Sequence, residues 1–222
     1  MTCLTIKAII FDLDGLVLDS ETTYIAAWRQ AASTMGYLLD EVFFKSLSGL
    51  HGTSVEQALL TACGSEFALG DFRRLSSQFW QAYVHQHGIP VKSGFHNLLK
   101  LIRERQLPYC LATNSRRQEA VSCLQLAGLE DVFAEIIARD DVRYGKPAPD
   151  IFIKAATRFA LQTTDCLVLE DSPVGVAAAV AADCPCLYIP STNPPDAEAV
   201  ANAVAVLDDL DLAAEFLRVA WG

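Results

Sequence analysis

Short, wholly apolar runs alternate along this chain with longer stretches in which apolar positions recur every three or four residues. Ala8-Ile9-Ile10-Phe11, Tyr109 to Ala112 and Leu167-Val168-Leu169 are such runs. Each is too short and too β-prone for a helix, and each suits a strand of a parallel sheet covered on both faces. A helical pattern begins at Arg116, and an Ala/Val-rich helix is expected between Pro173 and Ala182. Strands followed by helices in this order predict an α/β protein with a doubly wound parallel sheet.

The pattern changes between Glu21 and about His87, where strand signals vanish and helical periodicity takes over. Tyr24, Ala27, Trp28 and Ala31 mark one apolar face; Val55, Ala58, Leu59 and Ala62 mark a second, with Thr53 or Ser54 as the expected cap. Phe72, Leu75, Phe79, Trp80 and Tyr83 continue the series, and Gly88-Ile89-Pro90 returns the chain to the sheet. A helical block inserted directly after the first strand is therefore expected, with residues 1–15 and 90–222 as the core and 16–89 as the insert.

Polar chemistry gathers where the expected strands end. Asp12 and Asp14 leave the first in Asp-x-Asp-Gly, Thr113-Asn114-Ser115 follow the second, and Glu170-Asp171-Ser172-Pro173 follow the third. Ligands of open α/β sheets bind in the crevice outside the carboxyl ends of the strands, so these groups stand where chemistry is expected. Each also has a purely structural reading. Asp12 and Asp14 suit a turn in which they bond backbone amides, and Thr113 suits an ordinary cap. Glu170 and Asp171 suit the start of a helix with Ser172 as cap and Pro173 at its first position. Lys146, between Gly145 and Pro147, is by itself a solvated loop lysine.

Taken together and in order, DLDG, ATNS, GKPAPD and LEDSPVG resemble the four motifs of the haloacid dehalogenase-like hydrolases. The nearest branch is that of β-phosphoglucomutase and the small sugar-phosphate phosphatases, and the resemblance spans nearly the whole chain. It implies a Rossmann-like core with an inserted α-helical cap. It also implies an Asp12 nucleophile that becomes an aspartyl-phosphate, an Asp14 general acid/base, and phosphate contacts from Thr113, Asn114, Ser115 and Lys146. Glu170 and Asp171 are implied metal ligands beside Asp12 and the backbone carbonyl of Asp14. In related enzymes the stretch holding Arg116 and Arg117 lies beside the phosphate site, so one of them faces substrate or both are solvated. The loop Ser48-Gly49-Leu50-His51-Gly52 corresponds to the family's specificity loop. His51 is its one strongly polar side chain, read either as a substrate contact or as a surface histidine.

The chemistry agrees with the resemblance. Hydrolysis of a phosphate monoester is among the slowest of uncatalysed reactions, so several effects must act together. A carboxylate nucleophile divides it into two displacements, and a second carboxyl can protonate the leaving oxygen and then activate water. Four acidic groups in one pocket would repel one another by about 4 kcal/mol per pair at about 4 Å and an effective dielectric near 20. A hard divalent cation relieves this, and an all-oxygen ligand set suits Mg²⁺. Lys146→Ala is expected to lower turnover strongly and to leave the fold intact.

Departures from the pattern bear on the activity. The mutases typically carry an arginine in the specificity loop and a histidine on the first cap helix, where this chain has Gly52 and Tyr24; both disfavour a mutase. Asp14 and the Glu170-Asp171 pair argue against a metal-free dehalogenase. A phospho-accepting receiver or a non-catalytic binding module on the same sheet is the alternative of another class. The first motif's paired aspartates, the helical insert and the length favour the hydrolase.

Composition narrows the partners. The chain has 222 residues, 52% of them hydrophobic, which is ample for a sizeable core. Seventeen basic against 27 acidic residues leave a net charge of -10. That argues against nucleic acid or an anionic membrane; the small phosphorylated metabolite that the resemblance implies must then be drawn by a local positive field. No secretory leader is read at the start, and no run is long enough to span a bilayer. The seven cysteines include no CxxC pair and read as reduced, cytoplasmic thiols. Cys184-Pro185-Cys186 gives only a weak hint of metal or redox chemistry. Oligomeric state is open.

Overall fold

A computed structural model describes residues 5–47 and 52–221. It divides into two compact units: one ends at Leu18 and resumes at Val91, and the other is Asp19–Pro90.

The first unit is built on a six-stranded, all-parallel sheet. Its strands are β1 (Ala8–Phe11), β2 (Tyr109–Ala112), β3 (Ile136–Ile137), β4 (Cys166–Glu170), β5 (Cys186–Tyr188) and β6 (Ala205–Val206), in the order β3-β2-β1-β4-β5-β6. The chain builds outward from β1 to β3 and then returns to place β4 on the other side of β1. The order thus reverses between β1 and β4, which opens a crevice there at the carboxyl ends.

Apolar alternation assigns the two faces. Ala8 and Ile10 join a core with Cys110, Ala112, Cys166 and Val168. Ile151, Phe152 and Ala155 of one covering helix (Asp150–Arg158) pack there, as do Val176, Ala178 and Ala179 of another (Pro173–Ala181). On the opposite face Phe11 meets Phe95, Tyr109 and Phe133 edge-on, with ring centroids 5.7, 6.4 and 5.8 Å apart. Phe11 and Phe95 are fully buried, each worth about 1.5–3 kcal/mol of apolar transfer.

Leu16, Val17 and Leu18 belong to this unit, although the hydropathy pattern assigns them to the insert. They are buried, Leu18 bridges Val91, and Lys92 donates its N–H to the Val17 carbonyl at 2.9 Å. A turn built on the Leu13 carbonyl, which accepts from both Val17 and Leu18, folds this segment back beside the strand ends.

The second unit is helical: α1 (Ser20–Thr34), α2 (Glu41–Lys45), α3 (Gly52–Cys63) and α4 (Leu69–His87). Its core is Ala31, Ala32, Phe44, Leu47, Val55, Leu59, Phe67 and Phe72. Two sequence expectations are corrected here. The helix α3 already begins at Gly52, so Thr53 and Ser54 lie in its first turn and do not precede it. The buried stripe of α1 runs through Ser20, Thr23, Ala27 and Ala31, while Tyr24 is 39% exposed. Thr23 enters that stripe with its hydroxyl satisfied: it donates to the Ser20 carbonyl at 2.6 Å and accepts from Trp80 Nε1 at 2.9 Å. Tyr24 instead stacks against Trp80 and Trp28, at 5.2 and 6.0 Å. His51 and the rest of the expected specificity loop, Ser48 to Leu50, lie outside the described residues.

Candidate active site

Asp12 is the first residue after β1, and its N–H is held by the Leu169 carbonyl of β4 at 3.1 Å. Glu170 is the last residue of β4 and Asp171 the next, so neighbouring strands end in acids at the point where the sheet order reverses. All three side chains are buried, and one carboxylate oxygen of each lies within 4.8 Å of the others. The register Phe11↔Leu169 makes this unavoidable: residues one step beyond paired positions on adjacent parallel strands stay adjacent.

Lys146 reaches the same point from the loop before the helix Asp150–Arg158. Its buried ammonium donates to Asp12, to Glu170 and to the Ala112 carbonyl, the last at 2.8 Å. Burial alone would lower its pKa, but the charges of Asp12 and Glu170 outweigh that and hold the ammonium above its usual value. Burial pushes the Asp12 carboxyl well above the ordinary carboxylate range; Lys146 pulls it down, while Glu170 and Asp171 push it further up. One ammonium, bound to Asp12 and Glu170, thus shares the pocket with three buried acids. The surplus of negative charge in an all-oxygen pocket fits a hard divalent cation.

Two glycines make room for these acids. A Cβ at Gly15, whose φ is +87°, would overlap the Asp171 carboxylate, and one at Gly175 would overlap the carboxyl of Glu170. Glu170 therefore lies against the first turn of the helix Pro173–Ala181, where Ser172 donates its hydroxyl to Glu170 at 3.1 Å and accepts from the Gly175 N–H at 3.1 Å. The cap anticipated from Ser172-Pro173 forms, and it also holds an acid of the site. Gly175→Ala is expected to destabilise the protein by about 1–3 kcal/mol or more, the cost of overpacking a closed site. Urea denaturation checks this, and unchanged stability would show that Glu170 yields freely.

The remaining expected site residues divide into two groups. Asp14 stands outside the buried trio, its carboxylate accepting from Ser115 Oγ at 2.8 Å. Thr113 is buried at the end of β2, and its Oγ accepts the Ser115 N–H at 3.0 Å. Both lie at the same sheet edge as Asp12. Asn114 turns its amide to the Lys146 peptide.

Arg117 is engaged elsewhere. Its guanidinium donates to Asp141 and to the Ile136 carbonyl, and its N–H to Asp140. The Arg116 N–H is taken by Glu119. Two cations at a helix start oppose its dipole, and here Glu119, Asp140 and Asp141 supply the compensating anions from within the chain. Asp140 and Asp141 were not singled out in the sequence, because an Arg-Asp-Asp turn carries no signal of what it faces. Arg139, packed against Gly145, was missed for the same reason. Cys184 and Cys186 are buried in the core, and burial pushes the Cys184 thiol up to about 12.

The sequence pattern of the haloacid dehalogenase-like hydrolases matches residues 6–183. This chain belongs to that family. A phosphorylated carbohydrates phosphatase of Thermotoga maritima is 28% identical over 203 residues, covering 90% of this chain and 94% of the relative. The fructose-1-phosphate phosphatase YqaB of Escherichia coli is 30% identical over 174 residues, covering 78% and 91%. Among solved structures, a family hydrolase from Deinococcus radiodurans with bound phosphate and sodium superposes with a TM-score of 0.84 at 25% identity, covering 98% of this chain and 97% of that one. Among the described residues, no helix is long and apolar enough to cross a membrane.

Proposed function

We propose that this protein is a Mg²⁺-dependent phosphatase that hydrolyses a small sugar or polyol phosphate through an aspartyl-phosphate on Asp12. The observation that carries the reading is the convergence of the Asp12, Glu170 and Asp171 carboxylates at the sheet's switch point, with one buried ammonium bound between Asp12 and Glu170. The named activities of the Thermotoga and Escherichia relatives support the substrate class.

In the first displacement an Asp12 oxygen attacks phosphorus, and the leaving alkoxide takes a proton from the carboxyl of Asp14. In the second, Asp14 removes a proton from water, whose oxygen attacks the mixed anhydride and releases phosphate, restoring the Asp12 carboxylate. Lys146 and the Thr113 turn stabilise the charge on the transferring oxygens. Asp12, Glu170 and Asp171, with the Asp14 carbonyl, are the residues that would hold Mg²⁺, which when bound neutralises the surplus charge and polarises the phosphoryl oxygens. Gly52 and Tyr24, in place of a mutase's arginine and histidine, favour water over a second sugar phosphate as acceptor.

The test is phosphate release from p-nitrophenyl phosphate, fructose 1-phosphate and a panel of polyol phosphates, with and without EDTA. Turnover that survives EDTA, or a single phosphate incorporation with no turnover, overturns the reading. The same ion should stabilise the fold in a pH-dependent way. The raised pKa of Asp12 means that the folded state without metal binds the extra proton. Its contribution to stability therefore declines as pH rises from about 4 through the folded value. Mg²⁺ needs the ionised carboxylate and removes that penalty. At about a hundred times its dissociation constant it adds about 2.7 kcal/mol, or about 5–10 °C in Tm for a chain of this size. That rise should fade as pH falls through the raised Asp12 value, as protons displace the ion; a rise independent of pH would count against the trio as its ligands.

A further inference from the structure

We propose that Asn114 is a positioning residue that clamps the Lys146 peptide and so aims its ammonium at Asp12, a role that rests on the phosphatase reading above. The family resemblance groups Asn114 with the phosphate contacts. In the structure its side chain instead closes a two-point bond on a single residue 32 positions away. Asn114 Nδ2 donates to the Lys146 carbonyl at 3.1 Å, and its Oδ1 accepts the Lys146 N–H at 2.8 Å.

Lysine is a point charge on a flexible four-carbon stem, so the position of its ammonium depends on where both ends of the stem are held. At the far end Asp12, Glu170 and the Ala112 carbonyl hold the nitrogen. At the near end the loop Tyr144 to Pro149 has no strand ladder to fix it, and the Asn114 amide performs that function. A second observation supports the clamp independently. A Cβ on Gly145 would stand 2.5 Å from Asn114 Oδ1 and 2.6 Å from Arg139 Cδ, so the loop backbone is pressed directly onto the amide, with Arg139 behind it. Arg139 is itself tied in place, donating its N–H to the Ser115 carbonyl at 3.0 Å and its guanidinium to the Val142 carbonyl at 3.1 Å. Asn114 follows Thr113 on the turn after β2, so one turn sets both the hydroxyl and the lysine of the site.

Two readouts test this. In the first, the Lys146 ammonium is followed by ¹⁵N-resolved NMR in the wild-type chain and assigned by its loss in Lys146→Ala. Asn114→Ala should speed exchange of its protons with water by about tenfold, the effect of two neutral hydrogen bonds. Unchanged exchange overturns the clamp, and this measurement decides it even if no phosphomonoester is hydrolysed. The second is steady-state hydrolysis of p-nitrophenyl phosphate with Mg²⁺. Asn114→Ala should lower kcat by about tenfold or more with KM within about twofold, and Asn114→Asp, which keeps the acceptor for the Lys146 N–H, should lose less. Added to Lys146→Ala, Asn114→Ala should cost nothing further, since the two act as one unit. A rise in KM at unchanged kcat, or additive losses in the double variant, assigns Asn114 to the phosphate or to a separate structural role and overturns the proposal.

Discussion

Asp12→Asn is expected to release phosphate at least about 10⁴-fold more slowly than the wild type, while melting at no lower a temperature in EDTA. The loss follows from chemistry: a carboxamide is no nucleophile for phosphorus at neutral pH, so the mixed anhydride cannot form and both displacements stop. The retained stability follows from the site. Asparagine has nearly the shape of aspartate, and the Lys146 ammonium keeps Glu170 and the Ala112 carbonyl as partners. The carboxylate removed is one that burial already drives toward its neutral form. The variant should also show a much smaller rise in Tm with Mg²⁺. Phosphate release and calorimetry measure both effects. Turnover within about tenfold of wild type would falsify the nucleophile assignment, and a collapse of Tm would show that Asp12 serves mainly to hold the fold.

Lys146→Ala is expected to be damaging in two separable ways. Turnover should fall by about 10²–10³-fold or more through loss of charge stabilisation at the transferring phosphoryl group. Stability without metal should fall by about 3–5 kcal/mol, because removing one partner of a buried ion pair strands the other. Here three acids would face one another with no cation. The sequence reading, which expected an intact fold, treats Lys146 as a loop residue. The structure shows it among the most buried charges of the protein, so the expectation changes sign for stability. Mg²⁺ should restore much of the lost Tm but little of the lost turnover, since a metal can replace the missing charge but not the position of the missing donor. Guanidinium or urea melts with and without Mg²⁺, run beside kinetics, separate the two effects. Equal stability in EDTA would mean that the acids are protonated and the ion pair is dispensable.

Residues whose role is set by their own chemistry and their neighbours along the chain were legible beforehand. Ala8 to Phe11, Tyr109 to Ala112 and Leu167 to Leu169 form strands because short β-prone apolar runs have no other way to bury both faces. Ser172-Pro173 starts a helix because a capping hydroxyl and a ring without an N–H suit that position and little else. The acids at the ends of β1 and β4 could be nominated because polar groups at strand ends in a parallel sheet stand at its crevice.

Pairings across the fold could not be read in that way. Whether Arg117 met a phosphate or an internal acid depended on Asp140 and Asp141, brought to it by the turn after β3. The insert's boundary depended on Leu16 to Leu18 turning back toward Val91, a contact between segments more than seventy positions apart. Tyr24 is read from its spacing as part of a core face, yet in the fold it lies exposed and stacks against Trp80 and Trp28.

What the sequence determined alone is where the apolar strands run and which residue types stand at their ends, since period and residue type are local properties of the chain. What only the tertiary structure decided is which group restrains which. It set Lys146 between Asp12 and Glu170, Asn114 on the Lys146 peptide, Ser115 on Asp14, and Gly175 beneath Glu170. Those partners come from different strands and loops, and their distances are set by sheet register and close packing, which no local pattern in the chain encodes.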